Sequence, residues 1–245
     1  MGEIISSFAR VEYKYYLTPE QFQALSPVLD AHFSRDQYGI HTICNLFYDT
    51  DNFEIIRNSI EKPLYKEKLR LRSYGVPAND DSTVFIELKK KYDHIVYKRR
   101  INTTLVQAEQ FLQGGNIPTG ADLQISREIN NFLSLHPIVP KVVLCYDRLA
   151  MFCKDDPDLR ITTDRNLRWR ETELDLRAGS HGMLIIPEDI TLMEIKFAGA
   201  MPLWLAHELS RCGIYKTSFS KIGTCYKHFI IPEKFTERVV HTNVY

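Results

Sequence analysis

The stretch Lys66-Glu67-Lys68-Leu69-Arg70-Leu71-Arg72-Ser73-Tyr74-Gly75 alternates at period two. In an extended chain Lys66, Lys68, Arg70 and Arg72 share one face, and Leu69 and Leu71 share the other. The leucine face asks for a core. The cationic face repels itself unless it meets water or a polyanion. Taken alone, such a strand describes a solvated sheet face. The habit recurs in Phe85-Ile86-Glu87-Leu88-Lys89-Lys90-Lys91, Tyr97-Lys98-Arg99-Arg100-Ile101 and Met193-Glu194-Ile195-Lys196-Phe197. Repetition across several strands points to charged side chains aimed into one shared cavity that holds a chain of phosphates. Arg99 falls on the face opposite Lys98 and Arg100, and Lys90 and Lys91 read as solvent or rim residues.

The rest of the chain supplies more strands and a few helices. Ala9 to Leu17 reads as a strand with Arg10, Glu12 and Lys14 on one face. Thr18-Pro19-Glu20-Gln21 is a helix start, followed by Phe22, Leu25, Val28, Leu29 and Phe33 at helical spacing. His41 to Asp49 reads as a strand, and Asp51 as the cap of a short helix holding Phe53, Ile56 and Ile60. Three strands follow, Tyr65–Tyr74, Thr83–Lys91 and His94–Asn102, the last two joined by a tight hairpin. Thr104 to Gln113 and Asp122 to Leu135 read as helices. Val139 to Cys153, Leu159 to Arg170 and Asp189 to Phe197 read as strands, with Glu171 to Gly182 a polar loop. Pro202 to Cys212 and Ser218 to Ile230 close the chain as helices. The expectation is an α+β fold: one domain of about eight antiparallel strands with peripheral helices, closed into a barrel with a polar interior.

Composition narrows the partners. The net charge of the 245 residues is zero, so no global field announces a nucleic acid or a membrane. Charge is instead local: from Lys66 to Arg100, Lys and Arg outnumber Asp and Glu by roughly two to one. Aromatic residues do not interleave the cations on one face, which speaks against nucleic acid. Five cysteines without C-x-x-C spacing imply reduced, packed thiols of a cytoplasmic protein. The histidines show no H-x-x-x-H or H-E-x-x-H spacing, so zinc is not expected. Met1 to Ala9 lacks the features of a signal peptide, and no stretch has the ~20 apolar residues of a membrane span.

In order along the chain stand Glu12-x-Lys14, Arg70-Leu-Arg72-x-Tyr-Gly75, Glu87-Leu-Lys89, Lys98-Arg-Arg100, Tyr146-Asp-Arg148, Arg160-x3-Asp164, Glu194-Ile-Lys196 and Phe219-Ser-Lys221. This series, from about Arg10 to Tyr226, resembles the vacuolar transporter chaperone (VTC) domain family. Its bacterial relatives are described as polyphosphate polymerase domains. The family belongs to the triphosphate tunnel metalloenzymes. The resemblance implies a single VTC-type domain over residues 1–245, with its core at about 10–230, folded as an eight-stranded antiparallel barrel, the triphosphate tunnel. It implies that Lys14, Arg70, Arg72, Lys89, Lys98, Arg148, Arg160 and Lys221 face phosphates, that Lys196 lines the tunnel and that Glu194 holds a divalent metal, manganese or magnesium. Glu12 and Glu87 are second choices for the metal, or partners for lumen cations. Arg100 belongs to the same cofactor-binding group, and Asp164 is expected to orient Arg160 or a lysine.

Two departures stand out. Arg10-x-Glu12-x-Lys14 replaces the Glu-x-Glu-x-Lys of the adenylate cyclase and thiamine triphosphatase branches, which favours the polymerase branch. Lys216 and Lys221 are more widely spaced than the family's paired lysines. The activity implied is transfer of the ATP γ-phosphate to a growing inorganic polyphosphate. The alternatives are a tripolyphosphate or nucleoside triphosphate hydrolase of the same fold and a non-catalytic polyphosphate-binding module. ATP and polyphosphate are the expected partners, and any membrane association would run through a partner protein.

Overall fold

Alternation of apolar and charged residues dictates most of the strands seen in the computed structural model, which describes residues 10–93 and 95–232. Met1–Ala9, His94 and the side chain of Arg10 lie outside the described residues. So do the expectations that fall on them: the leader reading, His94 as a strand start, and Arg10 as a replaced metal-side carboxylate. The elements run β1 (Arg10–Leu17), α1 (Pro19–His32), β2 (Phe33–Arg35), β3 (His41–Thr50), α2 (Glu54–Ile60), β4 (Tyr65–Tyr74), β5 (Thr83–Tyr92), β6 (Ile95–Thr104), α3 (Leu105–Leu112) and α4 (Leu123–Leu135). They continue with β7 (Ile138–Cys153), β8 (Arg160–Arg170), β9 (Met183–Leu184), β10 (Thr191–Ala198), α5 (Leu203–Arg211), β11 (Lys216–Thr217) and α6 (Lys221–Cys225). A single π turn, Tyr226–Ile230, extends α6. None of the described helices is long and apolar enough to cross a membrane.

The contacts sort into two compact units that interleave along the chain. The first takes the described residues up to 41, with 147–167 and 186–218. Its strand order is β11-β1-β10-β8, with antiparallel pairings of β1 to β10 and to β11, and of β10 to β8. The odd-numbered residues of β1 and β10 face a core of Tyr15, Leu17, Met193, Ile195 and Phe197. Leu25 and Leu29 of α1 and Leu205 and Leu209 of α5 cover it. Thr18 begins α1 as a capping box: its hydroxyl accepts from the Gln21 amide and Gln21 accepts from the Thr18 amide. Phe33, expected on the helix, starts β2 instead and pairs with Cys153.

The second unit takes residues 42–146 and 168–185 and the described residues from 219 onward. Its order is β7-β3-β4-β5-β6, with β3, β4, β5 and β6 successive antiparallel neighbours. Leu69, Leu71, Val84, Ile86, Leu88 and Ile101 form one apolar face, packed under Leu105 and Phe111 of α3 and Ile129 and Phe132 of α4. The cap of α2 differs from expectation. Asp51 does not cap it; buried Asp49 does, accepting from the amides of Ile55 and Ile56. Thr50 accepts from Glu54. The residue before the helix, Phe53, sits in the left-handed region at φ 57°. That turn swings the amides back towards Asp49 rather than Asp51. The loop expected over Glu171–Gly182 is built around Arg170, whose guanidinium donates to the carbonyls of Glu173, Asp175, Gly179 and His181.

The architecture is therefore α+β and mostly antiparallel. Among the described residues β6 pairs with β5 alone and β11 with β1 alone, so the hydrogen-bonded path has two ends and does not close into a ring.

Candidate functional site

Strand register turns the alternating charges of the second unit into a grid. Lys68, Lys89 and Lys98 lie opposite one another across β4, β5 and β6. Arg70, Glu87 and Arg100 form the next row, and Arg72, Phe85 and Asn102 the one after. The leucines and isoleucines between them all point to the core. Six cations thus share the grid with one carboxylate, Glu87.

Glu87 is the hub. It is 1% exposed. Arg70 donates to its Oε2 at 2.8 and 2.6 Å. Arg100 donates to Oε1 through Nε at 2.8 Å and also through Nη2. Lys98 Nζ reaches Oε1 at 2.8 Å, and Arg72 Nη1 stands 3.8 Å from Oε2. Burial opposes a charge on Glu87, but Arg70, Arg72 and Lys98 overcome it and hold the carboxyl well below its usual range. Burial pushes Lys98 down, and Arg100 and Arg72 add repulsion that Glu87 opposes. Arg70 is pushed down by burial and by Arg72.

Arg72 is held by Tyr74 and Tyr146, which stand in the quoted motifs, and by Asn45, which lies in none of them. Its Nε donates to Asn45 Oδ1 at 2.9 Å, and its Nη atoms stand 3.4 Å from the hydroxyls of Tyr74 and Tyr146. Asn45 donates in turn to the Leu144 carbonyl. Aromatic rings lie under the guanidinium groups: Phe47 under Arg70 at 5.9 Å, Phe85 under Arg100 at 4.6 Å, and Tyr74 under Arg72 at 5.8 Å. Aromatic residues therefore do interleave the cations on this face, contrary to the sequence expectation. Register brings Phe47 from β3 against Arg70, while Phe85 and Tyr74 lie on the charged faces of their own strands. The rings are engaged by arginine. Lys221, the first residue of α6, lies over the Tyr146 ring at 4.8 Å.

The first unit has a different balance. Glu12 and Lys14 on β1 face Lys196 and Glu194 on β10 in crossed register, so the four side chains alternate in sign. Lys14 Nζ lies 3.2 Å from Glu12 and 3.7 Å from Glu194. Lys196 Nζ lies 3.6 Å from Glu12 and 3.7 Å from Glu194. Arg148 makes a two-pronged contact with buried Asp164 at 2.6 and 2.7 Å and approaches Glu194 at 3.9 Å. Asp164 thus orients Arg148, a cation other than the one expected from its own strand. Arg160 stands opposite Lys196 and lies over the Phe152 ring at 4.9 Å. Among the described side chains, four cations share the face with three carboxylates. Lys216 rests on the Tyr13 ring at 3.6 Å.

Arg99 pairs with Glu128 at 2.9 Å, and Lys90 with Glu128 and Glu67.

Among the described residues no group of three or more His, Cys, Asp or Glu side chains could hold a metal. The pair Glu12 and Glu194 nonetheless fits a hard divalent cation, which takes one or two carboxylates and completes its shell with water and substrate phosphates. The buried Thr162 hydroxyl, on the strand position opposite Glu194, has no hydrogen-bond partner among the described residues and adds a third oxygen.

Solved structures with a similar fold include a Bacillus halodurans protein described as a candidate adenylate cyclase. It shares 14% identity at a TM-score of 0.51, over 86% of this chain and 95% of that one. The PH1819 protein of Pyrococcus horikoshii OT3 aligns at 14% identity and a TM-score of 0.45, over 92% of this chain and 99% of that one. No curated protein matches. The sequence profile of the VTC domain matches residues 9–230, and the chain belongs to the VTC domain family.

Proposed function

We propose that this chain is a divalent-metal-dependent phosphotransferase that moves the γ-phosphate of ATP onto the end of an inorganic polyphosphate. The observation that carries the reading is the grid of Arg70, Arg72, Lys68, Lys89, Lys98 and Arg100 around the single carboxylate Glu87. Such a surface is costly without an anion and suits a chain of phosphates. The reading includes a single VTC-type domain over residues 1–245 and the eight-stranded tunnel that the family resemblance implies.

Arg70, Arg72 and Arg100 would bind phosphate oxygens through planar forks, and Lys14, Lys89, Lys98, Lys196 and Lys221 as point charges. Arg148 and Arg160 would complete the phosphate contacts. Glu194 and Glu12 would hold manganese or magnesium. When bound, the cation neutralises charge on the phosphate oxygens. The reaction breaks the bond from the γ-phosphorus to the β–γ bridging oxygen and makes a bond to the terminal oxygen of the acceptor; ADP leaves. Positioning and electrostatics supply most of the catalysis in such a transfer. The guanidinium groups are held on paired strands, so they need no reorganisation as charge shifts.

One observation favours transfer over hydrolysis. Water needs a base with a pKa near the working pH. Glu87, the carboxylate at the centre of the grid, is held far below that by its cations. A terminal phosphate is already anionic and needs no base. The test is ADP release from ATP and manganese, with and without a polyphosphate primer. The reading expects primer-stimulated ADP release without matching free phosphate. Free phosphate equal to ADP would replace it with the hydrolase, and tight polyphosphate binding with no ADP would replace it with a binding module.

A further inference from the structure

Two thiols that the phosphate chemistry does not use meet in the core of the second unit. Cys44 on β3 and Cys145 on β7 are 101 residues apart in the chain, and their sulfurs are 2.8 Å apart. Both are buried, within the same apolar cluster as Leu46, Leu71 and Val143. Each is next in sequence to a residue that holds Arg72: Asn45 follows Cys44, and Tyr146 follows Cys145. Successive strand residues point to opposite faces, so the sulfurs lie behind the pair of strands that present these holders. The Cys145 thiol donates to Cys44 Sγ, and its contact with Cys44 draws it below its ordinary range, helped by the charges of Arg170 and Arg168. The same contact, with burial, pushes Cys44 up. The two sulfurs face one another at contact distance, the geometry that a nucleophilic thiol and its resolving thiol require.

We propose that Cys44 and Cys145 are an oxidisable dithiol that closes to a cross-strand disulfide, strapping β3 to β7 behind Arg72. With a peroxide as oxidant, the Cys145 thiolate attacks one oxygen. The O–O bond breaks, leaving Cys145 as a sulfenic acid, and the other oxygen departs as water. Cys44 Sγ attacks the sulfenic sulfur; the S–S bond forms, the S–O bond breaks and a second water leaves. Two electrons pass from the thiols to the peroxide, and both thiol protons end in water. A dithiol reductant reverses the change by exchange through a mixed disulfide. Burial restricts the forward step to small oxidants.

The test treats the full chain with hydrogen peroxide, then denatures it, alkylates it and measures its mass. Of the five cysteines, three should remain alkylatable, with two hydrogens lost from the chain and a linked peptide joining Cys44 to Cys145. Dithiothreitol should restore all five. Cys44→Ala and Cys145→Ala should each abolish the linkage. The linked protein should unfold at a higher urea concentration than the reduced protein. Five alkylated cysteines after treatment, or a linkage through Cys153, Cys212 or Cys225, would overturn the proposal. So would an unchanged urea midpoint in the linked protein. None of these readouts depends on phosphate transfer, so they stand or fall apart from the proposed function.

Discussion

Replacing Glu87 by glutamine should move stability and polyanion affinity in opposite directions. In the folded chain the Glu87 carboxylate accepts from Arg70 and Arg100 and contacts Lys98, with Arg72 just beyond, and it is 1% exposed. Removing one partner of a buried charge cluster costs about 3–5 kcal/mol. Glutamine keeps one acceptor oxygen, so Glu87→Gln should fall at the low end, about 3 kcal/mol. The same carboxylate repels an incoming phosphate. A phosphate on the outer edge of the Arg70 guanidinium would sit roughly 7 Å from it, where an effective dielectric of about 20 gives roughly 2 kcal/mol, or about thirtyfold in affinity. Urea unfolding followed by circular dichroism reads the first quantity, and titration calorimetry with tripolyphosphate reads the second. Unchanged stability would refute the hub. Weakened binding would refute charge compensation and make Glu87 a residue that positions the arginines instead.

Acid should act through the same group. Burial alone would raise the Glu87 pKa, but Arg70, Arg72 and Lys98 depress it on folding. Its contribution to stability is therefore complete above the unfolded value of about 4.3 and is lost as pH falls through the folded value. Urea midpoints between neutral pH and pH about 3 should fall more steeply for the wild type than for Glu87→Gln. Arg148→Ala strands the fully buried Asp164 and should cost about 3–5 kcal/mol in the same unfolding assay. Glu194→Gln should abolish metal-dependent turnover while tripolyphosphate binding persists; unchanged turnover would retire its metal role. Arg170→Ala leaves four backbone carbonyls without their donor and should open residues 171–182 to limited proteolysis, while the wild type resists.

Strand faces were legible because period two is a local property. Leu69 and Leu71 are buried, and Arg70 and Arg72 share the other face, as the alternation requires. Register is not local. That Glu87 falls between Arg70 and Arg100, and that Phe85 and Phe47 slip under arginines, depends on how β3 to β6 align. Asp164 pairs with Arg148 rather than Arg160 because β7 brings that guanidinium to it, which spacing within one strand cannot show. The Asp49 cap was hidden by the left-handed turn at Phe53. The short strands β2, β9 and β11 have two or three residues each, too few to display a period. The Cys44–Cys145 contact joins strands 101 residues apart and leaves no mark on cysteine spacing.

The most direct test of the central claim incubates the purified chain with γ-labelled ATP and manganese and resolves the products by chain length on a gel. Polymerase activity predicts label in a ladder of long phosphate chains, with ADP as the other product. Label found only in free phosphate, or retained wholly in ATP while the protein binds polyphosphate, would contradict it.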